Sequence, residues 1–181
     1  MRLSGAFLLN CELFALTLLF ALPLGLVVAF GSMSRCAPLR GVVKTFVWVI
    51  RGTPLMLQLL FVYYGLPFIP GIGVRLDDFP AAVFAFVLNY AAYFCEIFRA
   101  GIQAVPKGQY EAARTLGMNY VQTMRRIVLP QALRNIIPQI GNNFIINVKD
   151  TSVMFIISFT EFFAAHRYIV GVNNMYFPSA A

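Results

Sequence analysis

Inside an otherwise apolar stretch, Asn89, Tyr93 and Glu96 recur at i, i+4 and i+7, a spacing that places them on one face of a helix. A carboxylate near amide carriers suits a ligand that bears both an ammonium and a carboxylate group. Ionisable groups in apolar helices are costly and mark function by default. Against that, Arg99 lies one turn beyond Glu96, and pairing between the two is the preferred reading of that carboxylate. A second polar set follows. Gln131, Asn135, Pro138 and Asn142 fall at i, i+4, i+7 and i+11, and Gln139 and Asn143 widen the stripe. Asn142, Asn143 and Asn147 are the better candidates for lining a polar path, although hydrogen bonding between helices accounts for them equally well.

Covalent and metal chemistry find little support. Gly41–Thr45 has the wrong spacing for a phosphate-binding loop. There is no zinc motif, and no Ser/His/Asp set carries a local signature. Cys11, Cys36 and Cys95 are not spaced like metal ligands and read as small buried hydrophobes. His166 stands alone. These residues argue against an enzyme, so any uphill process must draw its energy from a partner.

What must hold these residues is a membrane. Of 181 residues, 60% are hydrophobic and only 12% charged, where a soluble domain carries about 25% charged residues. Leu13–Ser34 is 22 residues without a charge, Gly52–Val74 is 23 and Phe79–Cys95 is 17. About 20 apolar residues cross a bilayer core. The net charge of +7 raises nucleic acid as a partner, but its distribution reads as topology. Gly31–Lys44 holds Arg35, Arg40 and Lys44 with no acid, and Arg99–Arg126 holds five basic residues against Glu111. These three plus five, of 14 basic residues in all, place both segments inside. Pro67–Asp78, with Arg75 against Asp77 and Asp78, then lies outside, as does the N-terminus.

The elements follow from the same pattern. Spans are expected over about 6–30, 42–66, 79–99 and 130–158 of a single domain covering 1–181. Pro23 should kink the first, and Arg51-Gly52-Thr53-Pro54 should break the second. Between the third and fourth spans, 103–129 is polar and basic. Gln109–Leu116 reads as a short helix stopped by Gly117, and Asn119 as the cap of another ending near Leu129-Pro130. In that reading Pro130 separates the short helix from the fourth span. An interfacial segment is expected over 161–177 on the outer side.

The inner loop Glu111–Pro130, EAARTLGMNYVQTMRRIVLP, resembles the EAA signature of permease subunits in ATP-binding-cassette importers. The matching positions are Glu111, Ala112, Ala113, Gly117, Ile127, Leu129 and Pro130. Arg51–Pro67, Ala91–Ala113, Leu129–Phe144 and Lys149–Val153 are similar to the polar amino-acid uptake branch, which includes histidine, glutamine, arginine and glutamate permeases. The likeness covers roughly Leu3 to Phe177.

That resemblance implies an all-α integral membrane protein with a permease core of about four transmembrane helices and short cytoplasmic coupling helices. It implies a bacterial cytoplasmic membrane, a coupling loop that docks on a cytoplasmic ATPase, and a second permease subunit, identical or paralogous. It also implies an extracytoplasmic amino-acid-binding protein and a lipid bilayer as partners, with no nucleic acid. ATP and Mg belong to the ATPase, and this chain needs no cofactor of its own. Family members carry a fifth span after the segment matching 173–177, and its absence here reads as a fragment or a truncated gene product. Asn10-Cys11-Glu12 also replaces the Thr-Leu that commonly opens the first span. An ion-gradient-driven transporter is the rival, but it leaves the EAA loop unexplained and would favour inverted repeats that are not evident.

Overall fold

A computed structural model describes residues 2–69 and 75–151, with side chains from residue 7 onward. Within these limits the chain is helical, and no strand occurs among the described residues. Its helices are α1 (Arg2–Ser32), α2 (Ala37–Gly52), α3 (Leu55–Leu60), α4 (Asp78–Gln103), α5 (Lys107–Thr115), α6 (Tyr120–Thr123) and α7 (Leu129–Asp150). Two π-helical turns, Phe61–Gly65 and Met124–Val128, and a 3-10 turn, Leu66–Phe68, continue them. The outer interfacial segment expected over 161–177 and the end of the span expected to reach 158 lie outside the described residues.

α1 is apolar on all sides, with Pro23 inside it. Its 31 residues extend for about 46 Å. The segment Phe7–Ser32 and α4 are each long and apolar enough to cross a membrane. α2 together with Leu55–Phe68 qualifies as a third span broken in the middle. α7 does not qualify among the described residues. At 22 residues it has the length, but its stripe of Gln and Asn lowers its apolarity.

The break in the second segment has a clear local cause. Pro54 cannot donate a backbone hydrogen bond, and it pushes Thr53 out of the helical region. Pro54 itself is extended (φ −62°, ψ 139°) and starts α3. Gln58 Nε2 reaches back to donate to Thr53 Oγ1 at 2.8 Å and to its carbonyl at 3.1 Å, tying off the interruption.

Two compact units emerge. The first comprises residues 1–19, 53–88 and 146–181. Within it the Tyr63 hydroxyl donates to Asp78 Oδ1 at 2.7 Å, joining the first π turn to the first turn of α4. The second comprises residues 20–52 and 89–145. Its core sets Ala29, Val47, Ala92 and Cys95 against Val28, Val43, Phe46, Ile50 and Phe98. Val43, Phe46, Val47 and Ile50 fall at i, i+3, i+4 and i+7, the apolar stripe of an amphipathic α2. α1 approaches α4 closely here. A Cβ built on Gly25 would stand 2.7 Å from Phe94 Cβ and 3.0 Å from the Ala91 carbonyl oxygen.

Burial divides the cysteines. Cys95 is buried, whereas Cys11 and Cys36 are exposed, which corrects the expectation that all three are buried. Cys11 lies on an exposed face of the apolar α1, and Cys36 lies in the link before α2. The apolar sequence neighbours of Cys11 mark a helix that faces lipid as readily as a core, and Cys36 sits beside Arg35 in a polar link.

Candidate functional site

The inner loop folds into a small, doubly capped module. α5 starts after Pro106, whose ring pre-sets an entry conformation (φ −59°, ψ 140°). It stops through a paired cap: Met118 N–H donates to the Ala113 carbonyl at 3.0 Å and Gly117 N–H to that of Arg114 at 2.9 Å. This is the Schellman arrangement, and it needs a left-handed residue at its turn. Gly117 supplies one, with φ 70°. The Thr115 hydroxyl adds a bond to the Ala112 carbonyl at 2.8 Å.

α6 begins with a reciprocal cap. Asn119 Oδ1 accepts from Gln122 N–H at 2.9 Å, and Asn119 N–H donates to Gln122 Oε1 at 3.0 Å. Two otherwise unpaired donors are thereby satisfied. The signal for this box, Asn-x-x-Gln, stands in the sequence at Asn119 and Gln122. The Thr123 hydroxyl closes the turn on the Asn119 carbonyl at 3.0 Å.

The signature residues divide by face. Ala113 is fully buried, whereas Glu111 and Ala112 are exposed. Leu116, Tyr120 and Val121 are 78%, 75% and 69% exposed, an apolar group on the outside of the module. Burial, with Tyr120 nearby, holds the Tyr110 hydroxyl above its usual range, so it stays protonated at neutral pH. Gln131 Nε2 reaches Gln109 Oε1 at 3.4 Å, linking the first turn of α7 to α5.

Pro130 does not separate the module from the following helix as the sequence reading has it. Helical structure is unbroken from Tyr120 to Asp150, with the wider turn Met124–Val128 inside it. Leu129 N–H donates to the Met124 carbonyl, five residues back. Within two residues of that widened turn, the missing amide proton of Pro130 is absorbed without ending the helix. Ile127 lies in this turn, half-buried, and Leu129 and Pro130 open α7 on its exposed side.

The polar residues of α4 meet the end of α2. Arg99 binds Glu96 with two bonds, Nη2 to Oε2 at 2.5 Å and Nε to Oε1 at 3.2 Å, and Arg99 Nη1 donates to Gln103 Oε1 at 2.9 Å. Arg51 Nη1 stands 3.7 Å from the same Glu96 oxygen. Its guanidinium carbon lies 5.3 Å from the centre of the Tyr93 ring, in cation–π range. Two residue sets read separately from the sequence, the helix break and the α4 polar face, therefore converge. Lys44, Val47, Trp48, Arg51, Gly52, Glu96 and Arg99 line a cavity of about 550 Å³ there. Lys44 and Trp48 were not anticipated, because nothing local marks them.

The remaining asparagines are placed differently. Asn89 is 4% exposed within α4. Asn143 Nδ2 donates to the Gln139 carbonyl at 3.0 Å, within its own helix, and Asn142 is exposed. Asn147 is fully buried, and neither of its amide atoms has a partner among the described residues.

A long apolar framework that carries an exposed, doubly capped helical module defines an all-α integral membrane subunit. Residues 21–181 match the family described as binding-protein-dependent transport system inner membrane component, and the chain belongs to that family. It is a permease subunit of an ATP-binding-cassette importer, a transport component rather than an enzyme.

Among its relatives is the L-cystine transport system permease protein TcyB of Bacillus subtilis, 44% identical over 173 residues, covering 96% of this chain and 72% of that protein. The arginine transport system permease protein ArtQ of Bacillus subtilis is 41% identical, covering 82% and 67%. The glutamine transport system permease protein GlnP of Escherichia coli K12 is 36% identical, covering 84% and 69%. Among solved structures, an amino acid ABC transporter crystallised with histidines superposes with a TM-score of 0.87 at 38% identity, covering 97% of this chain and 81% of that one. The methionine transporter MetNI shares the fold, with a TM-score of 0.65 at 17% identity over 97% of this chain and 80% of that one.

Proposed function

We propose that this chain moves a polar amino acid into a bacterial cell across the cytoplasmic membrane, with its N-terminus outside and its coupling loop inside. The observation that carries the reading is the exposed module α5–Gly117–α6, whose apolar outer residues Leu116, Tyr120 and Val121 offer a docking face. A cytoplasmic ATPase engages that face through Glu111, Ala112 and the turn at Gly117, and it holds the ATP and Mg. A second permease subunit, identical or paralogous, completes the path, and an extracytoplasmic binding protein delivers the substrate. The transported class comes from relatives named for cystine, arginine and glutamine.

Asn89, Tyr93, Asn142, Asn143 and Asn147 serve the path by offering amide and hydroxyl groups to a zwitterion. Glu96 joins them as a fixed charge whose carboxylate is held by Arg99 and Arg51. The test is co-purification with the ATPase of the same genome. The wild type should retain it, and Glu111→Lys and Gly117→Arg should release it while remaining in the membrane. A correctly inserted wild type that binds no ATPase counts against the reading.

A further inference from the structure

The cavity beside α2 carries more positive charge than its own fold uses. Lys44, Arg51 and Arg99 line it against one carboxylate, Glu96. Arg99 satisfies that carboxylate with two bonds and gives a third to Gln103. At 3.7 Å, Arg51 makes only a longer-range contact with Glu96, and its side chain is 43% exposed. Lys44 is exposed and has no ion pair among the described residues.

The surroundings indicate what neutralises this excess. Lys44, Trp48 and Arg51 fall at i, i+4 and i+7, one stripe along α2. The adjoining face of that helix, Val43, Phe46 and Ile50 with Val47 at the cavity edge, is packed into the core. Trp48 is 76% exposed, its neighbour Val49 is exposed, and Leu39 and Val42 are exposed toward the start of the same helix. A small free anion needs the cations but gains nothing from exposed indole and aliphatic surface. An amphiphile uses both: its phosphate meets the cations and its chains cover the apolar residues. Indole rings favour the level where headgroup meets hydrocarbon.

We infer that the α2 stripe Lys44–Trp48–Arg51, with Arg99 at its back, is a binding site for the phosphate headgroup of an anionic membrane lipid. The site is distinct from the ATPase-docking module, and it does not depend on which substrate is transported.

The test uses the permease purified with its ATPase in detergent and titrated with phosphatidylglycerol, phosphatidylcholine or inorganic phosphate. Lipid retained per complex is read by native mass spectrometry. Phosphatidylglycerol should be retained in preference to phosphatidylcholine, with a loss of about fivefold for each cation removed, in Lys44→Gln and again in Lys44→Gln/Arg51→Gln. Trp48→Ala should weaken retention of the lipid. Arg125→Gln, an exposed charge away from the cavity, should leave it unchanged. Lys44→Gln keeps the test decisive if the Arg51 variant folds poorly, because Lys44 lies outside the Glu96 network. Equal retention of the two lipids, or wild-type retention by Lys44→Gln, overturns the inference. So does displacement of the lipid by inorganic phosphate, which marks a plain anion site, or by a polar amino acid, which assigns the cavity to the transport path.

Discussion

Replacing Gly117 with Ala isolates one physical quantity in the α5–Gly117–α6 module. Nothing lies within 4 Å of the position a Cβ would take at Gly117, so the substitution creates no clash. Its whole cost is conformational, because φ 70° puts an L-residue in the left-handed region at about 1–2 kcal/mol. The Schellman bonds from Gly117 and Met118 exist only in that geometry, so the module either bears the strain or unwinds its end. If the ATPase engages the module as it stands, that energy reappears in binding as a weakening of about 5- to 30-fold. Gly117→Asn should lose less, because asparagine visits the left-handed region more readily. Gly117→Val, β-branched, should lose most.

The assay is titration of labelled ATPase against the permease in lipid nanodiscs, with unfolding of each variant followed in parallel. The required order of affinity is Gly, Asn, Ala, Val. Equal affinities for Gly and Ala would show that the ATPase does not use this turn. If Asn binds as poorly as Val, the deficit tracks side-chain bulk and the backbone argument fails.

Two further outcomes follow from the geometry. Asn119→Ala removes the bond from Gln122 N–H to Asn119 Oδ1, at about 1 kcal/mol, and leaves the backbone N–H of residue 119 free to reach Gln122 Oε1. Hydrogen exchange at the first amides of α6 should therefore rise about fivefold, while Asn119→Asp stays near the wild-type rate. Gly25→Val places a Cβ 2.7 Å from Phe94 Cβ, an atom that side-chain rotation cannot move away. Overpacking of this kind costs about 1–3 kcal/mol, read as a lower melting temperature in detergent. Gly41→Val, with open space around it, should lack this steric penalty.

What the sequence discloses and what it withholds divide along the range of the interactions. Pro54, Gly117 and Asn119 act within one turn, so their residue types announce the break at α3, the stop of α5 and the start of α6. Apolar runs likewise announce α1 and α4, because a charge-free stretch has few other uses. The Arg51–Glu96–Tyr93 cluster is different. Its partners lie more than 40 residues apart, and only packing of α2 on α4 brings them together. The pairing of Glu96 with Arg99, one turn apart, is visible because it stays within a single helix. Pro130 misleads for a related reason. A proline taken alone reads as a helix boundary, but the widened turn just before it decides the outcome, and no residue pattern marks a π turn. Cys11 misleads because its apolar neighbours indicate a hydrophobic environment without saying whether protein or lipid supplies it.

The unbroken course from Tyr120 to Asp150 has a mechanical meaning. A loop between docking module and long helix would absorb displacement as slack. Here 31 consecutive helical residues, about 46 Å in all, run without a loop, with the widened turn Met124–Val128 and the interior Pro138 as points of give. A push or twist applied at α6 would therefore pass into α7 rather than be lost in a loop, attenuated where the turn widens and again at Pro138. Such joints permit small changes of angle but almost no change of length. Continuity, rather than slack, is what this segment supplies.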